Sequence, residues 1–452
     1  MSISEKSLCN FFNRLDGLAL DMHSIIISRG GNIITEVYYE PFNRESMHRM
    51  FSVTKSFVGL AIGCLVNDGK ISLDDSITKY FPEYPTPYEY IKDTTIRNML
   101  MMRTPHDKTT YKADLNGNWV ESFFLTKPSH RPDTVFAYDT SATHVLGALV
   151  EKITGMPFLD YLRIKFLDEI GFSKEAYCLK DPQGISIGGS GLMATPMDIM
   201  CVAQLVMDNG VFNGLELIDS GFLQEATSYL TSTCTRGAWS DEKQGYGMQI
   251  WRTRNNGFMF YGMAGQLALC LRDKDIILVT TADGMGCQGA VQAILDAFWE
   301  EIYYKLDLDD EKDGKLHSIL KNRQINPLNG EVRNFGETYC FDKNVIGMKW
   351  LSVQTDKNGG IIEYENETGC HTLKFKTGSF NRAVFPYYDC DSITSGAWSG
   401  DTLTVKSCLI GKTVGSVTIE MYFKDNEITL SARSTEKTDF KEFNGIIQGV
   451  KK

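Results

Sequence analysis

Histidine, clustered cysteine and excess positive charge are all scarce or missing from this 452-residue chain. Its seven histidines are dispersed and form no His-Glu-x-x-His pair. His106, His130 and His144 therefore read as surface or satisfied core residues rather than as ligands. No Cys-x-x-Cys occurs: the 11 cysteines stand singly between Cys9 and Cys408. That distribution fits free, mostly buried thiols in a reducing compartment and offers no ligand spacing for a metal. A formal net charge of −11 argues against nucleic acid or an anionic membrane as partner, since both attract basic surfaces. No apolar run approaches the length of a membrane span. Residues Met1 to Lys6 lack a basic stretch followed by an apolar one, so no secretory signal is expected and a cytoplasmic location is. There is no Gly-x-Ser-x-Gly elbow, because Gly188-Gly189-Ser190-Gly191 runs into Leu192, and no P-loop or dinucleotide glycine pattern.

The composition that is present, 42% hydrophobic and 23% charged, is that of a globular protein with room for two or three domains. Residues 24–38 read as a hairpin around Arg29-Gly30-Gly31-Asn32. A helix is predicted from Phe57, with Leu60, Ala61, Cys64 and Leu65 on one face and Gly69 suited to a left-handed end. Further helices are predicted at 144–154, 158–167, 196–209 and 288–304. Leu267 to Leu271 and Ile276 to Ala282 read as strands around Arg272-Asp273-Lys274-Asp275. Terminal strands flanking a helical insert can share one antiparallel sheet, so the expected class is α+β, an antiparallel sheet flanked by helices. The acidic run Asp307 to Gly314 marks a linker. Beyond it strand signals dominate, including Val417 to Phe423 and Glu427 to Ser431 around Lys424-Asp425-Asn426, which suggests a small barrel or sandwich. The expected divisions are 1–306, a linker at 307–329, and an all-β domain at 330–452.

Ser-x-x-Lys occurs five times, at Ser52/Lys55, Ser76/Lys79, Ser240/Lys243, Ser318/Lys321 and Ser434/Lys437. Four have polar or connecting surroundings; Ser240/Lys243 encloses Asp241-Glu242 and reads as solvated. Lys55 differs in being the only charged residue between Phe51 and Asn67, at the start of an apolar helix. Three residues apart on a helix, serine and lysine share a face. The helix N-terminus favours developing negative charge, and burial lowers a lysine pKa until the amine can accept the serine proton. On these residues alone, an N-cap serine beside a snorkelling lysine explains the pair equally well.

Phe51-Ser52-Val53-Thr54-Lys55-Ser56-Phe57, then Gly69-Lys70-Ile71-Ser72-Leu73-Asp74-Asp75, resembles the serine β-lactamase and penicillin-binding-protein-like family, with its class C β-lactamases, D-amino-acid peptidases and esterases. The resemblance continues through Ile96 to Met102, Phe136-Ala137-Tyr138 and Gly188 to Leu192, and ends near Gly265-Gln266. It implies a β-lactamase/transpeptidase-like fold over roughly the first 300 residues and an acyl-enzyme on Ser52, with Lys55 as base and Tyr138 as proton shuttle. No metal or organic cofactor is implied. Tyr138-Asp139-Thr140 stands where the family has Tyr-x-Asn, so Thr140 replaces the substrate-contacting amide. Phe260-Tyr261-Gly262 stands where the family has Lys-Thr-Gly or His-x-Gly. The resemblance places an oxyanion hole at the N–H groups of Ser52 and Met263, with Gly262 and Tyr261 beside the substrate. The changed positions oppose β-lactamase activity, because penicillins carry a carboxylate that the missing cation would hold. The expected activity is hydrolysis or acyl transfer on an amide or ester of a small or peptide-like molecule. The alternative is a binder or sensor that kept the fold, and a β-lactamase is the least favoured reading. The C-terminal domain resembles a lipocalin-like barrel appended to some family members.

Overall fold

A computed structural model of the chain describes residues 3–18, 20–306, 314–436 and 440–452. They fall into two compact units, Met1–Ala282 with Gly289–Arg323, and Asp283–Gln288 with Gln324–Lys452. Most of the expected linker run, residues 307–313, lies outside the described residues.

In the first unit, helix α1 (Glu5–Asp16) precedes strands β1 (Asp21–Arg29) and β2 (Asn32–Tyr38). The sheet order places β2 at one edge, then β1, Ile276–Asp283, Leu267–Leu271, Phe258–Tyr261 and Trp251–Arg252. The neighbours whose register is resolved are antiparallel. The expected joining of early and late strands is thus what the chain builds.

Both faces of this sheet are apolar, and the period of two shows which side chain goes where. Ile25, Ile27, Leu267, Leu269, Leu271, Ile276 and Leu278 pack with Phe11, Phe12 and Leu15 of α1 and with Leu295, Phe298 and Trp299 of the helix Ala290–Glu301. Ile26, Ala268, Cys270, Ile277 and Val279 point the other way, onto the helical insert. The centre of that insert is helix α2 (Val53–Asn67), buried at every position from Val53 to Leu65. A helix apolar all round belongs inside a core, which is why its one charge, Lys55, stands out. Gly69 follows α2 at φ +66°, the left-handed geometry expected there.

The helix predicted from 144 begins four residues earlier, spanning Thr140–Thr154. Hydrophobic periodicity starts late, but Asp139 already caps the helix by accepting the Ser141 N–H at 2.9 Å. The stretch predicted as one helix over 158–167 splits into Phe158–Leu162 and a wider π turn, Arg163–Leu167.

The second unit is an antiparallel sheet that closes on itself. Nine strands run in the order Gly369–Lys376, Gly359–Asn366, Trp350–Asp356, Phe335–Phe341, Gly445–Lys451, Glu427–Ser434, Gly415–Lys424, Thr402–Ile410 and Asp391–Ser399. Closure comes from a parallel pairing of Lys376 with Ser395, and the short strand Asn381–Val384 adds to the last member. The inward positions, among them Tyr339, Leu351, Val353, Ile362, Tyr364, Val405, Ile419 and Leu430, fill the barrel with side chains.

Candidate active site

The chain turns sharply into α2. Phe51 adopts φ +44°, a strained value for an aromatic residue, and Ser52 follows as the helix N-cap with no capping bond of its own. The turn is held from several sides. The Met50 N–H donates to Leu192 O at 2.8 Å, and the short strand His48–Arg49 pairs with Leu192–Ala194. The Thr54 hydroxyl donates to Phe51 O at 2.6 Å and accepts from the Leu192 N–H at 3.1 Å. With its hydroxyl uncommitted to the helix, Ser52 is presented to the partly open side of the site.

Lys55 lies one turn on, 1% exposed. Its Nζ donates to Ser52 Oγ at 3.0 Å and to Gly189 O at 2.6 Å. The snorkelling alternative therefore fails, since the amine is turned inward. Burial lowers its pKa from the usual 10.5 to about 7, with Asp139 opposing the shift and Lys112 reinforcing it. Tyr138 completes the group. Lys55 Nζ lies 5.0 Å from its ring centroid, and the Ser52 side chain is close enough to act on its hydroxyl. Burial pushes that hydroxyl up to about 12, so it stays protonated at neutral pH.

Gly189 needs to be glycine, because a Cβ there would stand 2.3 Å from Thr140 Cγ2. Thr140 thus packs directly against the residue whose carbonyl receives the lysine. Gly262 makes the other close approach: a Cβ on it would stand 2.5 Å from Met50 O. The end of strand Phe258–Tyr261 is thereby pressed against the segment entering Ser52, which brings Met263 to the nucleophile's neighbourhood. Met263 is 47% exposed, Phe260 is fully buried, and Tyr261 is half-buried. Lys55 thus touches both Ser52 and the Tyr138 ring, Thr140 packs on Gly189, which holds the lysine, and Gly262 packs on the segment entering Ser52, with Tyr261 and Met263 flanking it in the chain.

The other Ser-x-x-Lys pairs do not resemble it. Lys79 binds Asp75 at 3.0 Å, and Ser240, Lys243, Ser318 and Lys321 are exposed. Ser434 is buried in a barrel strand despite its polar neighbours, and Lys437 lies outside the described residues. The solvated setting read for Ser240/Lys243 holds for that pair, although Asp241 between them is buried. It takes the Arg254 guanidinium at 3.1 and 2.7 Å and the Trp299 indole N–H at 3.2 Å.

Four residues near the site escaped the sequence reading. Asp139 is fully buried, and burial raises its carboxyl to about 6. An aspartate before Thr140-Ser141 is a legible N-cap signal, but nothing local reveals that its charge acts on a lysine eighty-four residues earlier. Gln249, at φ +61°, accepts the Thr143 hydroxyl at 2.7 Å while its backbone carbonyl accepts the Ser56 hydroxyl at 2.8 Å, tying α2 to the Thr140–Thr154 helix. Thr54 braces the strained turn, and Glu242 accepts the Tyr261 hydroxyl at 2.6 Å.

His106 is buried with Nε2 2.9 Å from Phe123 O, and His144 is buried 3.0 Å from Asp181. Among the described residues no three His, Cys, Asp or Glu side chains converge as a metal site. No helix among them is long and apolar enough to cross a membrane.

The beta-lactamase family model matches residues 17–295, well over half of the chain, a span that includes Ser52, Lys55, Tyr138, Thr140 and Tyr261 to Met263. This chain belongs to the beta-lactamase family. The 6-aminohexanoate-dimer hydrolase of Paenarthrobacter ureafaciens is 24% identical over 258 residues, 51% of this chain and 64% of that protein, so the chain spans less than two thirds of that relative. Among solved structures, EstCE1, described as a hydrolase with promiscuous acyltransferase activity, superposes with a TM-score of 0.54 at 16% identity, over 65% of this chain and 99% of its own. D-amino acid amidase from Ochrobactrum anthropi SV3 does so with a TM-score of 0.51 at 16% identity, over 65% of this chain and 98% of its own. Proteins of this fold thus include a hydrolase with promiscuous acyltransferase activity and a D-amino acid amidase.

Proposed function

We propose that this beta-lactamase family member is a serine hydrolase or acyltransferase that acts on an amide or ester through a Ser52 acyl-enzyme. The observation that carries the reading is the inward-facing Lys55, 3.0 Å from Ser52 Oγ and held near neutrality by burial. In the proposed cycle, Ser52 Oγ attacks the substrate carbonyl carbon and its proton passes to Lys55 Nζ. The N–H groups of Ser52 and Met263 receive the oxyanion, helped by the N-terminus of α2. As the carbonyl re-forms, the bond to the leaving group breaks, and Tyr138, recharged by Lys55, supplies that group's proton. Water, or an amine or alcohol, then attacks the acyl-enzyme with Lys55 taking its proton, and Ser52 is released.

The replacements named above shape this reading. Tyr261 offers Glu242 a hydrogen bond where a cation would meet a carboxylated substrate, and Thr140 offers a methyl and a hydroxyl where an amide would stand. Both speak for a substrate other than penicillin. They also motivate the alternative of a binder that kept the fold. Intact-mass analysis after incubation with a fluorophosphonate probe separates the two. The hydrolase reading expects one adduct per chain, absent in Ser52→Ala; a folded wild-type protein that stays unlabelled would refute it.

A further inference from the structure

Beside the reacting group lies a carboxylate that the proposed cycle does not use. Glu242 begins a short 3-10 turn, Glu242–Gln244, and is half-buried. Its two oxygens are positioned from both sides: Oε1 accepts the Tyr261 hydroxyl at 2.6 Å and Oε2 accepts the Ala238 N–H at 2.8 Å. No lysine or arginine among the described residues pairs with it. The turn that carries it is anchored by its neighbour, since buried Asp241 is clamped by Arg254, Thr253 and Trp299. Glu242 is therefore a fixed negative charge without a counter-ion.

Its surroundings are aromatic. The Tyr261 ring lies 5.8 Å from Trp251, and Trp251 lies 5.4 Å from Tyr138. Glu242 acts electrostatically on both tyrosines. Ring faces and an unpaired carboxylate together attract a cation, and a partly desolvated site strengthens both effects. Arg49, the residue before Met50 of the entering segment, is held by other groups: its Nε donates to Ser190 O at 3.1 Å and its guanidinium lies over the Phe51 ring. Tyr138 is the group assigned above to protonate the leaving group, so the Glu242 side of the site is the leaving-group side.

We infer that Glu242, with Tyr261 and Trp251, selects substrates whose leaving group carries a positive charge, as an ammonium or quaternary ammonium on the departing alcohol or amine. The inference rests on the acyl-enzyme reading. The reaction it describes is ordinary acyl transfer: the acyl–O, acyl–N or acyl–S bond breaks, Ser52 keeps the acyl group, and the leaving group departs with its charge unchanged.

The test uses two thioesters that differ in that charge alone, butyrylthiocholine and S-(3,3-dimethylbutyl) thiobutyrate. Fluorophosphonate labelling of Ser52 is measured first. Wild type should favour the cationic thioester in kcat/KM by about tenfold, mostly through KM. The ratio should fall toward one in Glu242→Gln and decline with added salt, yet persist in Tyr261→Phe, which keeps the carboxylate. Independently of turnover, choline should slow Ser52 labelling at lower concentration than 3,3-dimethylbutan-1-ol does, and Glu242→Gln should erase that difference. If Ser52 labels normally but wild type shows no charge preference in either assay, this inference falls and the hydrolase reading stands. A ratio unaltered by Glu242→Gln also overturns it, and would leave Glu242 with only the task of holding Tyr261. If Ser52 does not label at all, both fall.

Discussion

The most searching prediction concerns the pH dependence of Ser52 and how Asp139 controls it. An ordinary lysine, with a pKa of 10.5, is neutral in only about 0.3% of molecules at pH 8; one held at about 7 is neutral in about 90% of them. Only the neutral amine can take the Ser52 proton, so reactivity should climb about tenfold per pH unit below 7 and level off above it. Asp139 acts on Lys55 in the opposite sense to burial, because its charge stabilises the ammonium. Its own carboxyl is pushed up to about 6, so the two groups titrate over neighbouring ranges and the wild-type limb should be broadened between about 6 and 7. In Asp139→Asn that charge is gone. At an effective dielectric near 20, a unit charge about 10 Å away would be worth about 1.7 kcal/mol, a little over one pH unit. The acidic limb should therefore move down by about one unit and sharpen to a single titration. Asparagine still caps the Thr140–Thr154 helix through its side-chain oxygen, so the fold should survive. The measurement is the second-order rate of Ser52 phosphonylation from pH 5.5 to 9, read by intact mass. A flat wild-type profile, or a limb that moves to higher pH in Asp139→Asn, would refute the reasoning.

Four further outcomes are expected. Lys55→Met should abolish labelling yet raise Tm by several degrees at pH 7, because burying the amine costs a few kcal/mol that methionine does not; calorimetry reads it, and a lower Tm would count against the cost. Gly262→Ala should cut turnover by about a hundredfold or more, since its Cβ would displace the segment beside Met50, next to the proposed oxyanion donors, and wild-type kinetics would show that the close approach is dispensable. Thr54→Val should lose the bracing of the strained Phe51 turn and lower both labelling rate and stability, the latter by about 1–3 kcal/mol in urea unfolding. Finally, buried His23 and His48 are both held neutral, the latter lowered by burial to about 4. Their folded values lie below the unfolded 6.5, so stability is complete above about pH 6.5 and is lost as pH falls toward 4, by up to about 3 kcal/mol for His48 alone. Urea midpoints that stay constant from pH 7 to 4.5 in wild type would contradict this.

Sequence alone determined much here, for reasons that are local. The alternation in Leu267–Leu271 and Ile276–Asp283, the turn at Gly30-Gly31 and the apolar run through α2 each encode their own element. They fixed the α+β class, and a single charge in an apolar helix singled out Ser52 and Lys55 from four other pairs with equal spacing. What it left open depends on residues far apart in the chain. Whether Lys55 snorkels or turns inward depends on the carbonyl of Gly189, 134 positions away. The role of Asp139 follows from its burial and from its charge acting on that lysine, and the place of Glu242 depends on Tyr261, which reaches it from a strand nineteen residues on. Closure of the barrel likewise turns on one pairing, Lys376 with Ser395. Periodicity and capping are written within a few residues of where they act. Desolvation and through-space charge, which decide protonation and what a site will accept, are properties of the assembled fold.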